Sequence, residues 1–305
     1  MVAFITRRLF LMALTVVIVS AVVFAMSRAR GDPRLIYLDN NTSQAQWDAW
    51  GREMGLDHPI AVQYLVWLGK ALRLDLDRSL WEKRPVTQLI RERLPNTLQL
   101  GGAAWLFATV VGLPLGVLSA VKRGTVWDYV GRTIALFGQA LPPFWLGIML
   151  ILLFGVQLQW LPIARQGGID HLILPSITLG WLAAAGLLRL VRSAMLEVLD
   201  SEYIKLARAK GVARWLVIWK HGFRNALLVP MTYSVLLLSG FLTGTVVTET
   251  VFAWPGLGRL AVTSINTNDF PLMAGTVLFG TVMFVCATFV LDVAYAYVDP
   301  RVRYR

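Results

Sequence analysis

Cysteine, histidine and charge are all scarce in this sequence. Cys286 is the only cysteine, so an internal disulfide and a zinc ribbon are both excluded. It lies in an apolar run and reads as a packed thiol, not a reactive one. The three histidines, His58, His171 and His221, fall at no metal-ligand spacing, and no His-Glu-x-x-His occurs. The Gly69-Lys70 pair is followed by Ala71 and belongs to no Gly-x-x-x-x-Gly-Lys-Ser/Thr loop, so ATP is not held here by the P-loop route. A nucleophile elbow, paired catalytic carboxylates and a dinucleotide fingerprint are absent too. The expectation is a chain that is no enzyme and holds no cofactor or metal of its own. Charged residues make up 15% of the chain against 56% hydrophobic, with a mean hydropathy of +0.60. Soluble domains carry about 25% charged residues, so polar surface is too scarce here to cover a soluble globule. A net charge of +11 could suggest nucleic acid, but the basic residues gather in short stretches between apolar segments, as in membrane proteins.

Apolar chain is what the sequence has in quantity. Six stretches free of Asp, Glu, Lys and Arg are long enough to span about 30 Å of hydrocarbon. They run from Leu9 to Ser27, Leu94 to Val121, Thr133 to Ala164, His171 to Leu188, Asn225 to Thr248 and Phe270 to Leu291. The third is longer than one span needs, and its far end, with Gln157, Gln159, Trp160 and Pro162, reads as an exit into the interface. The fourth is expected to continue past Arg189 toward Arg192, those side chains snorkelling or facing protein. Such runs far exceed strand length and lack two-residue alternation, so the fold class is all-α and polytopic, with six transmembrane helices. The thirteen prolines and twenty-five glycines are tolerated in membrane helices.

Sidedness follows from the basic residues. One side receives Arg7 and Arg8, then Lys122, Arg123 and Arg132, then the run from Arg189 to Arg224, then Arg301, Arg303 and Arg305. The two short loops opposite hold only Arg165 and Arg259. Both termini are therefore expected on the cytoplasmic side of the membrane. Val16 to Met26 continue the opening run to spanning length without a cleavage site, so it reads as a first span and not a secretory signal. Three regions result: 1–27, the amino terminus and first span; 28–93, an extracytoplasmic insertion; and 94–305, the core spans with a cytoplasmic loop at 200–225. In the insertion, Trp47, Trp50, Met54, Tyr64, Leu65, Trp67, Leu68 and Leu72 recur at helical spacing. Short amphipathic helices are expected there, lying on the membrane face, against a partner, or packed into a self-contained cap.

The stretch from Asp200 to Pro230 concentrates chemistry. Ser201 can cap a helix beginning at Glu202, whose acid suits the positive dipole end. Helix formers continue to Lys210, and Gly211 supplies the left-handed residue that ends it. A second helix is expected from Arg214 to Phe223. Tyr203, Ala207 and Lys210 with Gly211 share a face of small residues; Lys205 and Arg208, on adjoining faces, can meet carboxylates or lipid phosphates. A docking site and a lipid-facing helix pair are both compatible with these residues.

The spacing of Lys205, Ala207 and Gly211, followed by Asn225, Ala226 and Pro230, resembles the coupling loop of importer-type ABC permeases, whose usual form is Glu-Ala-Ala, three residues, Gly and a later Leu-Pro. The phrases EYIKLARAKG and HGFRNALLVP resemble the dipeptide/oligopeptide/nickel branch of that family. Lys205 and Leu206 stand where Glu and Ala are usual, a habit of that branch. Further motifs fit in register: Gly31-Asp32-Pro33, Gly55-Leu56-Asp57 with Pro59, Gln63-Tyr64, Leu94 to Leu98, Trp160-Leu161-Pro162 and Leu174-Pro175. Then come Glu249, Phe252, Trp254-Pro255-Gly256-Leu257-Gly258, Asp269 with Pro271, and Asp299-Pro300-Arg301 with Arg303. One departure is Leu74-Asp75-Leu76-Asp77-Arg78-Ser79, where the family has Gly-Asp-Leu-Gly-x-Ser; losing both glycines is expected to change that outer turn.

The resemblance implies the type I importer permease fold and a set of partners. These are a second homologous permease, two ATP-binding cassette subunits that hold ATP and magnesium, and an extracytoplasmic solute-binding protein. It implies that Tyr203, Lys205, Ala207, Arg208, Lys210, Gly211 and Asn225 couple the chain to the ATPases. Peptides lead as solute, with nickel chelates and oligosaccharides as alternatives. A proton-coupled secondary transporter would show ionisable residues in mid-span, which are nearly missing; a membrane scaffold is the remaining class. Two acids stand out. Glu249, beside Thr245 and Thr248, either lines a gate or holds the outer turn at Trp254, Pro255, Gly256 and Gly258. Asp292, near the inner end of the last stretch, is expected to pair with a cytoplasmic arginine.

Overall fold

The computed structural model describes residues 2–29, 34, 38, 42–53, 55–243 and 245–298. Gly31-Asp32-Pro33, Met54, Asp299-Pro300-Arg301, Arg303 and Arg305 lie outside the described residues. Helices succeed one another: α1 (Val2–Ala29), α2 (Gln44–Glu53), α3 (Ile60–Leu72), α4 (Val86–Val121), α5 (Val126–Ala140), α6 (Pro143–Leu150), α7 (Ile169–Leu199) and α8 (Glu202–Ala209). They continue as α9 (Arg214–Leu216), α10 (Arg224–Ala226), α11 (Leu228–Thr243), α12 (Val246–Val251), α13 (Leu257–Asn266) and α14 (Phe270–Val298). Wider π-helical turns extend α6 over Ile151–Gln157 and join α9 to α10 over Val217–Phe223. Among the described residues the only strand-like pairing is one bridge between Arg78 and Pro85.

All six apolar stretches are helical, but not all as single rods. Among the described residues four helices are long and apolar enough to cross a membrane, α1, α4, α7 and α14, or five if a bent pair counts as one span. The third stretch, expected as one run, is broken: α5 and the α6 segment meet at 107°. The cause is Pro142-Pro143, since the residue before a proline is driven out of the helical region and the prolines lack N–H donors. The fifth stretch is also not continuous; its main helix, α11, has 16 residues, fewer than the roughly 20 that cross a bilayer upright. The fourth runs well past Arg192, to Leu199.

The chain divides into two compact units. In the first, Met1–Pro95 with Gly256–Arg305, α1 and α13 both pack on α14. Leu76, Val86, Leu89, Ile90, Leu260, Leu272 and Leu278 form its core. Helix α3 turns its aromatic side to α1: Phe24 lies 5.6 Å from Tyr64 and 5.8 Å from Trp67, ring to ring, and Ser20 and Tyr64 share a 2.9 Å hydrogen bond. Asp269 is fully buried and fixes the loop before α4. Its Oδ2 accepts from the Ser79 hydroxyl and the Trp81 N–H, and its Oδ1 accepts from the Leu272 N–H at 3.1 Å.

In this unit the departure at Leu74–Ser79 takes a definite form, and the reading of Cys286 is corrected. The loop at 74–79 keeps glycine-type backbone without glycine: φ is 62° at Leu74 and 58° at Asp77. The buried Leu76 and Ser79, with the Val86 N–H bonded to the Asp77 carbonyl at 3.1 Å, hold both residues in the left-handed region. Cys286 is not packed but exposed, because it faces away from the neighbours that α14 has in this chain.

In the second unit, Asn96–Pro255, α7 is the hub, packed by α5, α6 and α11. Its seam with α4 is made of small residues. A Cβ on Gly112 would come within 2.8 Å of the Ala184 carbonyl, and one on Gly116 within 2.7 Å of Val191 Cβ. These glycines, four apart on α4, let two backbones approach as membrane helices do when apolar surface alone provides no driving force. Ala104, Ala108, Leu187, Val191 and Met195 complete the core.

Candidate functional site

The segment after α7 is built on one apolar anchor. Ile204 is fully buried and pins α8 to the unit, leaving Tyr203, Lys205, Leu206 and Arg208 exposed and Ala207 half-buried. Ser201 occupies the N-cap position, yet its hydroxyl donates backward to the Val198 carbonyl at 2.5 Å and caps nothing. The cause is local: the hydroxyl turns toward a free carbonyl at the end of α7, and its oxygen accepts no N–H from α8. At the other end, the Gly211 N–H bonds to the Arg208 carbonyl at 3.0 Å and the Val212 N–H to the Ala207 carbonyl at 3.2 Å. That is the Schellman pattern, and Gly211 supplies its left-handed residue with φ of 74°. No atom lies within 4 Å of where a Cβ would stand, so the dihedral angle, not crowding, requires glycine there.

The expected second helix is only partly α. Arg214–Leu216 passes into the π-helical stretch Val217–Phe223, which buries Val217 and Gly222 and leaves Trp219 exposed, edge-on to Phe223 at 5.3 Å. The two halves are tied through one carbonyl: His221 O accepts from Asn225 Nδ2 at 2.7 Å and from the Tyr203 hydroxyl at 3.4 Å. Lys205 bonds Glu202 at 2.7 Å. The result is a two-helix ledge, fixed from beneath by Ile204 and Val217, whose outer surface is charged and aromatic.

Glu249 sits elsewhere in the same unit and is fully buried. Its Oε1 accepts from the hydroxyls of Thr97 at 2.8 Å and Thr245 at 2.7 Å. The Glu249 carbonyl accepts the Trp254 N–H at 2.8 Å, the Trp254 indole donates to the Asn96 carbonyl at 2.9 Å, and Asn96 Nδ2 donates to the Pro255 carbonyl at 2.9 Å. Trp254 is itself fully buried, and Ala253 takes a φ of 50° to make the turn. Gly256 begins α13 and Gly258 is buried within it. In the first unit Asp292 pairs with Arg8 at 2.7 Å.

Residues 112–304 match the family described as "Binding-protein-dependent transport system inner membrane component", and residues 1–101 match the N-terminal model of the same transport-system components. The chain belongs to this family. It is 39% identical to the oligopeptide transport system permease protein of Bacillus subtilis (strain 168), covering all of both chains. It is 35% identical to the dipeptide transport system permease protein of Escherichia coli (strain K12), again over both full lengths. Among solved structures, inward-facing forms of the MetNI methionine ABC transporter match with TM-scores of 0.56 and 0.59 at 21% and 20% identity, over 70% of this chain and 97% of theirs. That likeness shows a shared fold and rests on 70% of this chain.

Within this permease fold the structure brings Tyr203, Lys205, Ala207, Arg208, Lys210, Gly211 and Asn225 into one ledge and sets Glu249 with Trp254 and Pro255 in a separate buried node. One node escaped the sequence reading altogether. Asp128 is only 1% exposed; it accepts from Arg192 Nε at 2.7 Å, the Ser119 hydroxyl at 2.8 Å and the Gly124 N–H at 3.0 Å. Arg192, expected to snorkel or face protein, faces protein: it reaches inward to this acid, whose buried charge would be costly without a partner. The node joins the ends of α4 and α5 to α7, the helix that leads into the ledge. The signal available was a lone acid, Asp128, in a loop otherwise basic with Lys122, Arg123 and Arg132.

Proposed function

We propose that this chain is one transmembrane half of an ATP-driven importer of di- and oligopeptides in a bacterial inner membrane, with both termini in the cytoplasm. It works with a second permease of the same family, two ATPase subunits that bind ATP and magnesium, and an external solute-binding protein. The peptide assignment is supported by relatives named for oligopeptide and dipeptide transport. The observation that carries the coupling assignment is the ledge. A short helix pinned by one buried isoleucine and closed by a left-handed glycine presents Tyr203, Lys205, Ala207, Lys210 and Gly211 outward. When the two ATPases close on ATP, force on the ledge passes through Ile204 and Val217 into α7. The spans then exchange between two states by differential contact with the ATPases. Glu249, satisfied by two threonines, holds the outer turn in place and carries no solute.

The test is uptake and ATPase pull-down at matched membrane levels. Gly211→Val is strained by its positive φ and should lose both. Ala207→Trp should lose both by overpacking the dock. Lys205→Ala should be mild, since an exposed ion pair contributes about 1 kcal/mol at most. Normal transport by the first two variants would remove coupling from this ledge. A purified complex whose external protein retains a nickel chelate or an oligosaccharide would replace peptide as the solute.

A further inference from the structure

The ledge is strongly basic, and Arg208, counted among the expected coupling residues, lies at the edge of a hollow. From Glu202 to Arg224 there are six basic residues, Lys205, Arg208, Lys210, Arg214, Lys220 and Arg224, against the single acid Glu202. Glu202 is taken by Lys205. Arg208 and Arg214 line one hollow of about 370 Å³ together with Val121, Leu199, Val212, Val217 and Ile218. Beside it a second hollow, about 350 Å³, is lined by Val110, Leu113, Val117, Trp219 and Phe223, with Thr109 and Pro114. Both are bounded by α4 and the π-helical stretch. Val117 and Val121 are one turn apart on α4, and Ile218 adjoins Trp219. Trp215 and Trp219 are 64% and 51% exposed, where the amphipathic indole suits the bilayer interface.

We propose that these two hollows form a site for one anionic phospholipid, its headgroup phosphate on Arg208 and Arg214 and an acyl chain in the slot between α4 and Trp219. Guanidinium groups bind phosphate oxygens through paired N–H donors, and the apolar slot one helical turn away takes the hydrocarbon that a lipid headgroup carries. A carboxylate from a soluble ATPase would satisfy the arginines but leave the slot without an occupant. The lipid therefore seats the inner face of the ledge, and the ATPase takes the face bearing Ala207 and Gly211. The inference rests on the cytoplasmic placement proposed above.

The experiment uses the assembled importer in nanodiscs of phosphatidylcholine carrying a photoactivatable probe, either phosphatidylglycerol or phosphatidylcholine, with labelled peptides mapped by mass spectrometry and ATPase retention measured in parallel. Wild type should label residues 109–117 and 215–223 more with the glycerol probe than with the choline probe. Arg208→Gln with Arg214→Gln should lower that excess by about five-fold per arginine, the equivalent of ~1 kcal/mol of headgroup attraction each. Val110→Trp, at an exposed position in the slot, should reduce labelling by both probes. A Gly211→Val complex that sheds ATPase but keeps the excess supports a lipid site separate from coupling. Equal labelling by the two probes, or an excess untouched by the double variant, overturns the proposal. So does loss of ATPase in the double variant with lipid selectivity intact, which would give the arginines to the ATPase.

Discussion

The buried acids and the two-helix ledge handle polar groups in opposite ways. Glu249, Asp269 and Asp128 are each at most 1% exposed, and each finds two or more donors within its own unit. On the ledge, Arg208, Lys210, Arg214, Lys220 and Arg224 are exposed and have no side-chain hydrogen bond or ion pair among the described residues. Polar groups satisfied inside the chain are architecture; polar groups held rigidly at the surface with no internal partner are offered to something else. The contrast also sorts mutations. Removing an acid from a node leaves buried donors without acceptors, which costs folding free energy. Removing a ledge cation should cost partners and leave the fold intact.

The largest expected effect tests the architectural side at its most charged point. Asp128→Ala should destabilise the folded permease by ~4 kcal/mol, because Arg192 is left in place without its counterion. Thermal unfolding in detergent measures this, and a double variant, Asp128→Leu with Arg192→Met, should recover most of the loss. If the single variant unfolds normally yet the assembled importer hydrolyses ATP without uptake, the pair belongs to the moving machinery and the contrast fails there. Glu249→Ala should cost about 3 kcal/mol, since Thr97 and Thr245 both lose the acceptor Oε1. Glu249→Gln should cost less, its carboxamide oxygen still accepting. Full stability of Glu249→Ala combined with altered solute selectivity would move Glu249 from tether to gate.

These outcomes bear on what could be read from the sequence. The helices were legible because an apolar run of spanning length has few other fates, and Gly211 was legible because a glycine after a run of helix formers marks a left-handed stop. The break at 107° was signalled by Pro142-Pro143 and hidden by the apolar residues on both sides, which count toward a span whether or not the chain bends. The π-helical stretch Val217–Phe223 was illegible, since π and α turns draw on the same residues. The nodes were illegible for a different reason. Asp128 meets Arg192 across 64 residues, Thr97 meets Glu249 across 152 and Ser79 meets Asp269 across 190. Nothing local in a sequence announces such pairings. Cys286 was misjudged because an apolar neighbourhood means burial in a soluble core, whereas on a membrane helix it is equally the mark of an outward face.

The smallest effect sharpens the comparison at a place where architecture is satisfied but strained. Leu74 and Asp77 both hold left-handed backbone, φ 62° and 58°, at positions where the resembling family carries glycine. A side chain in that region costs about 1–2 kcal/mol. Glycine removes that strain but adds about 0.5–1 kcal/mol of unfolded-state entropy. Leu74 is 80% exposed, so its replacement forfeits no burial. Leu74→Gly should therefore stabilise the chain by about 0.5–1 kcal/mol, a small upward shift in Tm. At Asp77 the same relief meets a loss, because its carboxylate is 2.8 Å from Lys70 Nζ. The hydrogen bond to Asp77 raises the Lys70 pKa above its ordinary 10.5, against the opposing pull of partial burial. A raised lysine pKa means that the contribution of the pair is whole below 10.5 and is lost only as pH climbs through the folded-state value. At neutral pH, then, Asp77→Gly gives up the full pair, up to about 1 kcal/mol for an exposed bridge, and should come out near neutral overall. Made strongly alkaline, where wild type has lost the pair as well, Asp77→Gly should gain on wild type while Leu74→Gly keeps a constant lead. Equal Tm shifts for the two variants at neutral pH would mean that the Lys70 bridge contributes nothing. A drop for Leu74→Gly would mean that the left-handed backbone is not a source of strain in this loop.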